Sequence, residues 1–587
     1  MVTPADPRPF DVEYIDNPSQ SELRELAVKH TPCVQRSKAG SINKVSRNKA
    51  RMAKYTYIID TEDRWSHQII DPAKAQELID RQAKYIADRG RLIAVDGYVG
   101  LGERAFGATW LYTPEGANIA GMQQILAFPR ADVENPEQLA EPFQPTFRLF
   151  YTPDLMLEDM PGGQAIIVDM ANWTTHVMGP DYFGESKKGV LRMLNDYVYQ
   201  KGGLVLHAGA KAVTRSEGDR VTMTIMGLSG TGKTTTTFSK QGDLTEPIQD
   251  DMVALWPHGA LSITENGCFA KIDGLSLETE PIIYRATVSP EAWLENAFLE
   301  EDGSFDFVKG ILTTDDVSRL RDILINTGAD AENVDKYIGG EVTANDVVDE
   351  LGVPADGWDF VKWTQNGRSI VPMSAIPGAA DLHAIPQVKS MGILNRDEGA
   401  DAAMPGILRF TSPAQAAGYF MLGETSKTSA AGKDRGKTRS PFTQPFFPAK
   451  HGLQAERFAE LAKTMPGVTM WLMNTGYIGG DANDVKQDKA LKVKIRHSSA
   501  MLEALLSDSI KWKRDPDFDY EVVDCDAAEN AALLEKVPAE ILEPRRFYED
   551  NGRAGEYRTW VDQMKSGRRE FLAKFKVAEP IIQATCS

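Results

Sequence analysis

One short stretch, Gly227-Leu228-Ser229-Gly230-Thr231-Gly232-Lys233-Thr234-Thr235, limits what this chain can fold into more than any other. It satisfies the pattern G-x-x-x-x-G-K-[ST]. Its glycines let successive backbone N–H groups turn inward as an anion-binding nest, and the helix that follows adds the positive end of its dipole. Lys233 is then within reach of β/γ-phosphates, and the Thr234 hydroxyl of a nucleotide-bound Mg²⁺. The run before it, Val221-Thr-Met-Thr-Ile-Met226, is β-branched and alternating, so the spacing predicts strand, phosphate loop, helix. That unit demands an α/β layer with a sheet behind it. It specifies a nucleotide and leaves the reaction open.

At 587 residues the chain exceeds one ordinary core, so two or more domains are expected. Net charge is −19, from 65 basic and 84 acidic residues, which argues against a nucleic-acid partner. Cys33, Cys268, Cys525 and Cys586 are far apart and form no CxxC, the pattern of reduced thiols rather than of disulfides or zinc. No apolar run reaches membrane-spanning length and Met1–Pro7 lacks signal-peptide regions, so a cytoplasmic protein without a membrane partner is expected.

Strands are predicted at Tyr55–Ile59, Ala165–Val168 and from Leu204, and helices at Ala73–Ala87, Lys188–Tyr199 and Ala500–Ser507. A boundary near Gly202-Gly203 divides the chain into an N-terminal domain, 1–203, and a phosphate-loop domain, 204–587. The acidic stretch 303–363 reads as an insertion, and 392–405, rich in Gly, Asp and Ala, as a candidate lid.

Four further features carry chemistry. Asp250 and Asp251 follow the loop at the end of a second strand, where a carboxylate can hold a metal beside a triphosphate, although two solvated turn aspartates would look the same. His207, just after Leu204–Leu206, could be a ligand or a satisfied core histidine. Lys187 and Lys188 sit at a helix start, where positive potential lowers a lysine pKa and frees a neutral amine. Arg51, Arg368 and Arg435 gain meaning only from their surroundings.

Those surroundings resemble the ATP-dependent phosphoenolpyruvate carboxykinases. Gly227–Thr235 is similar to that family's phosphate loop nearly letter for letter, and Tyr182-x-Gly-Glu-x-Lys-Lys-Gly189 to its substrate and metal segment. His207 and Gln249-Asp-Asp251 stand at its metal histidine and second kinase motif. Gly267–Lys271, Glu280–Tyr284, Thr364–Arg368 and Asp434–Gly436 resemble its nucleotide-facing and arginine motifs, and Ala50–Lys54 loosely resembles its N-terminal arginine motif. The matches keep the family's order from about residue 50 to 480.

The resemblance implies a mixed α/β, two-domain phosphoenolpyruvate-carboxykinase-like fold with a P-loop nucleotide-binding domain. It implies reversible decarboxylation of oxaloacetate with phosphoryl transfer from ATP, giving phosphoenolpyruvate, CO₂ and ADP. Lys188, His207 and Asp251 would hold Mn²⁺ at the enolate, and Thr234 the Mg²⁺ of ATP. Lys233 and Arg368 would neutralise the moving phosphoryl group; Arg51, Tyr182 and Lys188 would serve the substrate. Leu228–Thr235, Lys271, Glu280, Arg368 and Arg435 would bind the nucleotide in a monomer or small homo-oligomer. Departures mark a divergent branch. Ala208-Gly-Ala-Lys211 replaces Cys-Ser-Ala-Asn, Gln249 and Met252-Val253 replace the usual neighbours of the aspartate pair, and Thr236-Thr-Phe-Ser239 replaces Leu-Ser. Another phosphate-loop phosphotransferase, or a relative that binds nucleotide without turnover, remain the alternatives.

Overall fold

The computed structural model describes residues 6–49, 53–215, 218–228, 231–238, 245–309, 317–348, 354–399, 401–426, 437–444 and 446–587. The chain forms two compact units: Met1–Tyr197 with Thr264–Pro377, and Val198–Ile263 with Gly378–Ser587. The sequence placed one cut near residue 203; the observed units are each made of two chain segments. Strand pairing is the reason. Gly267–Lys271, Arg368–Pro372 and Trp293–Glu295 join Ile42–Lys44 and Val34–Arg36 in one five-stranded sheet, which ties residues 264–377 to the N-terminal segment.

The first unit also holds an eight-stranded mixed sheet, in the order Glu13–Asp16, Arg91–Val99, Phe106–Tyr112, Phe147–Thr152, Thr174–Met178, Ala165–Asp169, Thr56–Ile59, Gln68–Ile70. Its central strands are buried on both faces, as their continuous apolar runs require. The helix expected at 73–87 runs Pro72–Arg89. It starts on an Asp71 cap with Pro72 at its first position and ends on Gly90 in the left-handed region. The helix expected from Lys188 begins earlier, at Gly184, and runs to Gln200.

The second unit is built on a ten-stranded sheet. At its centre, Arg220–Gly227 pairs parallel with Val388–Asn395, which pairs parallel with Thr469–Asn474; Leu204–Thr214 lies antiparallel on the other side. The loop after Arg220–Gly227 therefore opens at the carboxyl ends of the parallel strands, where α/β sheets place ligands. Helix Lys233–Phe238 follows the loop, as its sequence predicts.

The first part of the stretch 392–405, read from composition as a candidate lid, is regular sheet. Gly392–Asn395 is the carboxyl half of a central strand, and its register partner Trp471 is the cause. A Cβ at Gly392 would lie 2.2 Å from the Trp471 ring, so the glycine is there for packing. Beyond the strand, buried Asp397 accepts the backbone N–H groups of Ala403 and Met404, both at 2.9 Å, which pins the turn. Among the described residues no helix is long and apolar enough to cross a membrane.

Candidate active site

In the second unit one long strand organises the site. Leu204–His207 pairs with Met252–Leu255, and Ala210–Val213 with Thr245–Gln249. Asp250 and Asp251 form the turn between those two partners and so lie beside His207, whose register partner is Met252. His207 Nε2 is 3.0 Å from Asp251 Oδ1. Lys233 Nζ, from the first turn of the loop helix, is 3.3 Å from the same oxygen. Three residues spread over the sequence thus meet on one carboxylate oxygen.

The other ring nitrogen fixes the histidine's role. His207 Nδ1 is 3.0 Å from the Phe442 carbonyl, which only accepts, so Nδ1 carries a proton. Nε2 is thereby turned to Asp251. A histidine held through one nitrogen with the other facing a carboxylate is the arrangement that metal-ligating histidines use. The 3.0 Å N···O separation also equals that of two adjacent ligands about 2.1 Å from one octahedral ion. The pair fits a divalent metal. Among the described residues no group of three or more His, Cys, Asp and Glu side chains could hold a metal alone, so further ligands must be of another type or come from the substrate.

Two of the segments read as departures from the family's pattern, 208–211 and 236–239, touch one another. Lys211, fully buried, donates to the Thr236 carbonyl at 2.8 Å, and burial lowers its pKa to about 7. A Cβ at Gly209 would come within 2.0 Å of Thr237 Oγ1. A residue larger than glycine at 209 therefore cannot stand beside Thr237 in this conformation. Thr475 Oγ1, at the end of the strand two places along, donates to the Thr231 carbonyl at 3.0 Å and steadies the loop from the far side. No sequence motif announced Thr475; adjacency of parallel strand ends brings it there. Ser229 and Gly230, the Thr235 side chain, Arg51 and Arg435 lie outside the described residues.

The first unit gathers the remaining candidates. Lys271 and Arg368 are register partners on adjacent antiparallel strands, and Glu295 opposes Arg368 on the other side. The Arg368 guanidinium lies 5.4 Å from the Phe269 ring centroid and Lys187 Nζ 5.0 Å from it. Lys187 is buried and paired with Glu265 at 2.9 Å. Its charge is therefore met by a carboxylate. Lys188 itself is half-buried on helix Gly184–Gln200. Tyr182 is buried, its hydroxyl pushed up to about 12 by desolvation against the opposing pull of Arg368, so it stays a donor at neutral pH. Glu280 holds the position before helix Pro281–Thr287 without capping it.

A family model described as phosphoenolpyruvate carboxykinase matches residues 12–321 and 338–529. The chain is similar to the phosphoenolpyruvate carboxykinase (ATP) of Bradyrhizobium diazoefficiens, 29% identical over 422 residues, covering 68% of this chain and 64% of that protein. It is similar to the protein of that name from Mesorhizobium japonicum, 28% identical over 462 residues, 74% of this chain and 69% of that one. A third, from Rhodopseudomonas palustris strain TIE-1, is 30% identical over 422 residues, 68% and 64% of the two chains. The chain thus spans about two-thirds, 64 to 69%, of the length of these relatives.

Proposed function

The chain belongs to the phosphoenolpyruvate carboxykinase family, and from that membership we propose that it decarboxylates oxaloacetate and transfers the ATP γ-phosphoryl group to the resulting enolate, reversibly. The observation that carries this reading is the meeting of Lys233 and His207 on Asp251 Oδ1. A phosphate-loop kinase needs the lysine and the aspartate. It has no use for a histidine oriented through Nδ1 to complete a metal pair beside them.

Lys233 would set its ammonium against the β/γ-phosphates, and phosphoryl transfer depends chiefly on such positioned charge. Lys271 and Arg368 add two cations on one face of a sheet. Directly opposed like charges are unfavourable for a sheet by itself and favourable when a polyanion faces them. Tyr182 offers a protonated hydroxyl to the substrate; Arg51 is proposed as its carboxylate clamp, and Arg435 and Glu280 as nucleotide contacts. His207 and Asp251 would hold a divalent cation, Mn²⁺ in our proposal, with Lys188 as a further ligand on the strength of its motif. Bound there, the ion would supply Lewis-acid stabilisation of the enolate oxygen. The Thr234 hydroxyl would hold the Mg²⁺ that accompanies ATP.

The test is oxaloacetate-dependent formation of phosphoenolpyruvate with Mn²⁺ and Mg²⁺ present, comparing ATP, GTP and pyrophosphate. Product with ATP, lost in His207→Gln together with Mn²⁺ affinity, is the expected result. No product with any donor would end the assignment, and product with GTP alone would replace the nucleotide.

A further inference from the structure

The first unit contains a cavity of about 190 Å³, separate from the groups assigned above, with Lys44, Arg47, Glu115, Asn118, Asp154 and Asp181 among its lining residues. It has room for a molecule of several non-hydrogen atoms rather than for one water. One wall is Asn326, Thr327 and Gly328, the link between helices Val317–Asn326 and Ala331–Ile338. That link lies in 322–337, the interval at which the family match is interrupted. The interval is a folded part of the unit: Leu324, Val334 and Tyr337 pack with Phe360 and Trp363 in one apolar cluster, and Asp330 caps the second helix. The Cys33 thiol, 3.3 Å from the Asn326 carbonyl, closes the wall against the N-terminal segment.

Two polar atoms in this lining have no partner. Asn118 is 1% exposed, yet its Nδ2 finds no acceptor, and Glu115 Oε2 finds no donor. Each such group, buried and unmatched, bears its desolvation cost without a compensating hydrogen bond. The other charged groups are already engaged. Lys44 donates to the Pro32 carbonyl at 2.6 Å and lies 3.4 Å from Asp181. Arg47 donates to the carbonyls of Gly179 and Pro153, and Asp181 accepts the backbone N–H groups of Arg47 and Asn48. Glu115 Oε1 is 3.3 Å from Arg89, and Asp154 has only a 3.4 Å approach from Arg47. The unmet demand is therefore for an acceptor at Asn118 and a donor at Glu115 and Asp154. With two cations against three carboxylates in the lining, a simple anion is disfavoured. Asn118 stands in the first turn of helix Ala117–Leu126, whose dipole also favours a carboxylate at that end. Ile119, Pro32 and Pro153 supply an apolar side.

We propose that this cavity binds a free α-amino acid with a small side chain, its carboxylate at Asn118 and its ammonium at Glu115 and Asp154. Because Asp181 precedes Tyr182 and holds the backbone that leads towards Arg51, occupancy would bear on the segments assigned to the substrate.

Isothermal titration of the full chain tests this, with the standard L-amino acids each offered alone, and with acetate, methylammonium and inorganic phosphate as partial probes. The expected result is saturable binding of at least one small amino acid, weakened at least tenfold in both Glu115→Gln and Asn118→Asp. Thermal melting of the unliganded variants shows that each is folded; should one fail to fold, the other decides. No binding of any amino acid, or binding unchanged in a folded variant, would overturn the proposal. So would acetate, phosphate or methylammonium alone binding as tightly as the amino acid. The readout is binding alone, so it stands or falls separately from carboxykinase turnover.

Discussion

Lys233 concentrates the chemistry of the second unit into one side chain. It is the residue that the phosphate-loop pattern singles out, and its ammonium lies 3.3 Å from Asp251 Oδ1. Lys233→Ala should lower kcat by about 10²–10³, as removal of one preorganised charge at a transition state does, and steady-state kinetics against ATP would measure it. His207 works through both ring nitrogens, so His207→Gln should lose turnover and Mn²⁺ affinity together; direct Mn²⁺ titration separates the two. The family resemblance grouped His207 with Asp251, but the contacts that orient the two residues were not legible in the sequence. The motif supplied the lysine, but Phe442, which sets the histidine tautomer, lies 235 positions away and belongs to no motif. Lys187 repeats the point: its carboxylate partner, Glu265, lies 78 positions on.

At the scale of elements, composition misled where packing decided. Gly and Asp in 392–405 are loop-forming residues, yet Gly392 sits mid-strand because its register partner is a tryptophan. Gly392→Ala should therefore cost about 1–3 kcal/mol, the cost of overpacking, seen as a lower midpoint in urea unfolding. A flexible loop would tolerate the change. The long helix Ala554–Lys574, the last but one in the chain, lies beyond the end of the family match at residue 529, and it carries the fully buried Arg568. That guanidinium donates to Glu424 at 2.8 Å and to the Tyr419 hydroxyl at 2.8 Å, while Arg439 donates to the same carboxylate at 2.7 Å. Arg568→Met leaves Glu424 short of one partner and should cost about 3–5 kcal/mol, measurable in the same unfolding experiment. The helix is thus an integral layer of its unit, not an appendage.

For the molecule as a whole, stability should depend on pH through Glu295. This residue has no solvent exposure, and desolvation raises its carboxyl to about 8 although it accepts the Phe183 N–H. Below its unfolded pKa, near 4.5, both states hold the proton and the group costs nothing. As pH rises from about 4.5 to 8 the unfolded chain ionises while the folded one does not, so folding is progressively disfavoured. Glu295→Gln keeps an acceptor for Phe183 and removes the titration. Its stability relative to the parent should therefore improve between pH 5 and 8, and chemical denaturation at the two pH values checks the sign.

The sequence by itself determined the local pieces: the strand, phosphate loop and helix at 221–238, the periodic helix at 73–87, and a set of motifs whose order pointed to one family. Such features depend on neighbours within a few residues, so they can be read along the chain. Only the tertiary structure decided that residues 264–377 leave the phosphate-loop segment and join the N-terminal one, because that choice rests on strands pairing across more than two hundred positions. Register, likewise non-local, set Asp251 beside His207 and opposed Lys271 to Arg368. The motifs name the groups that carry charge; long-range pairing determines which of them share a carboxylate, and that sharing gives the site its chemistry.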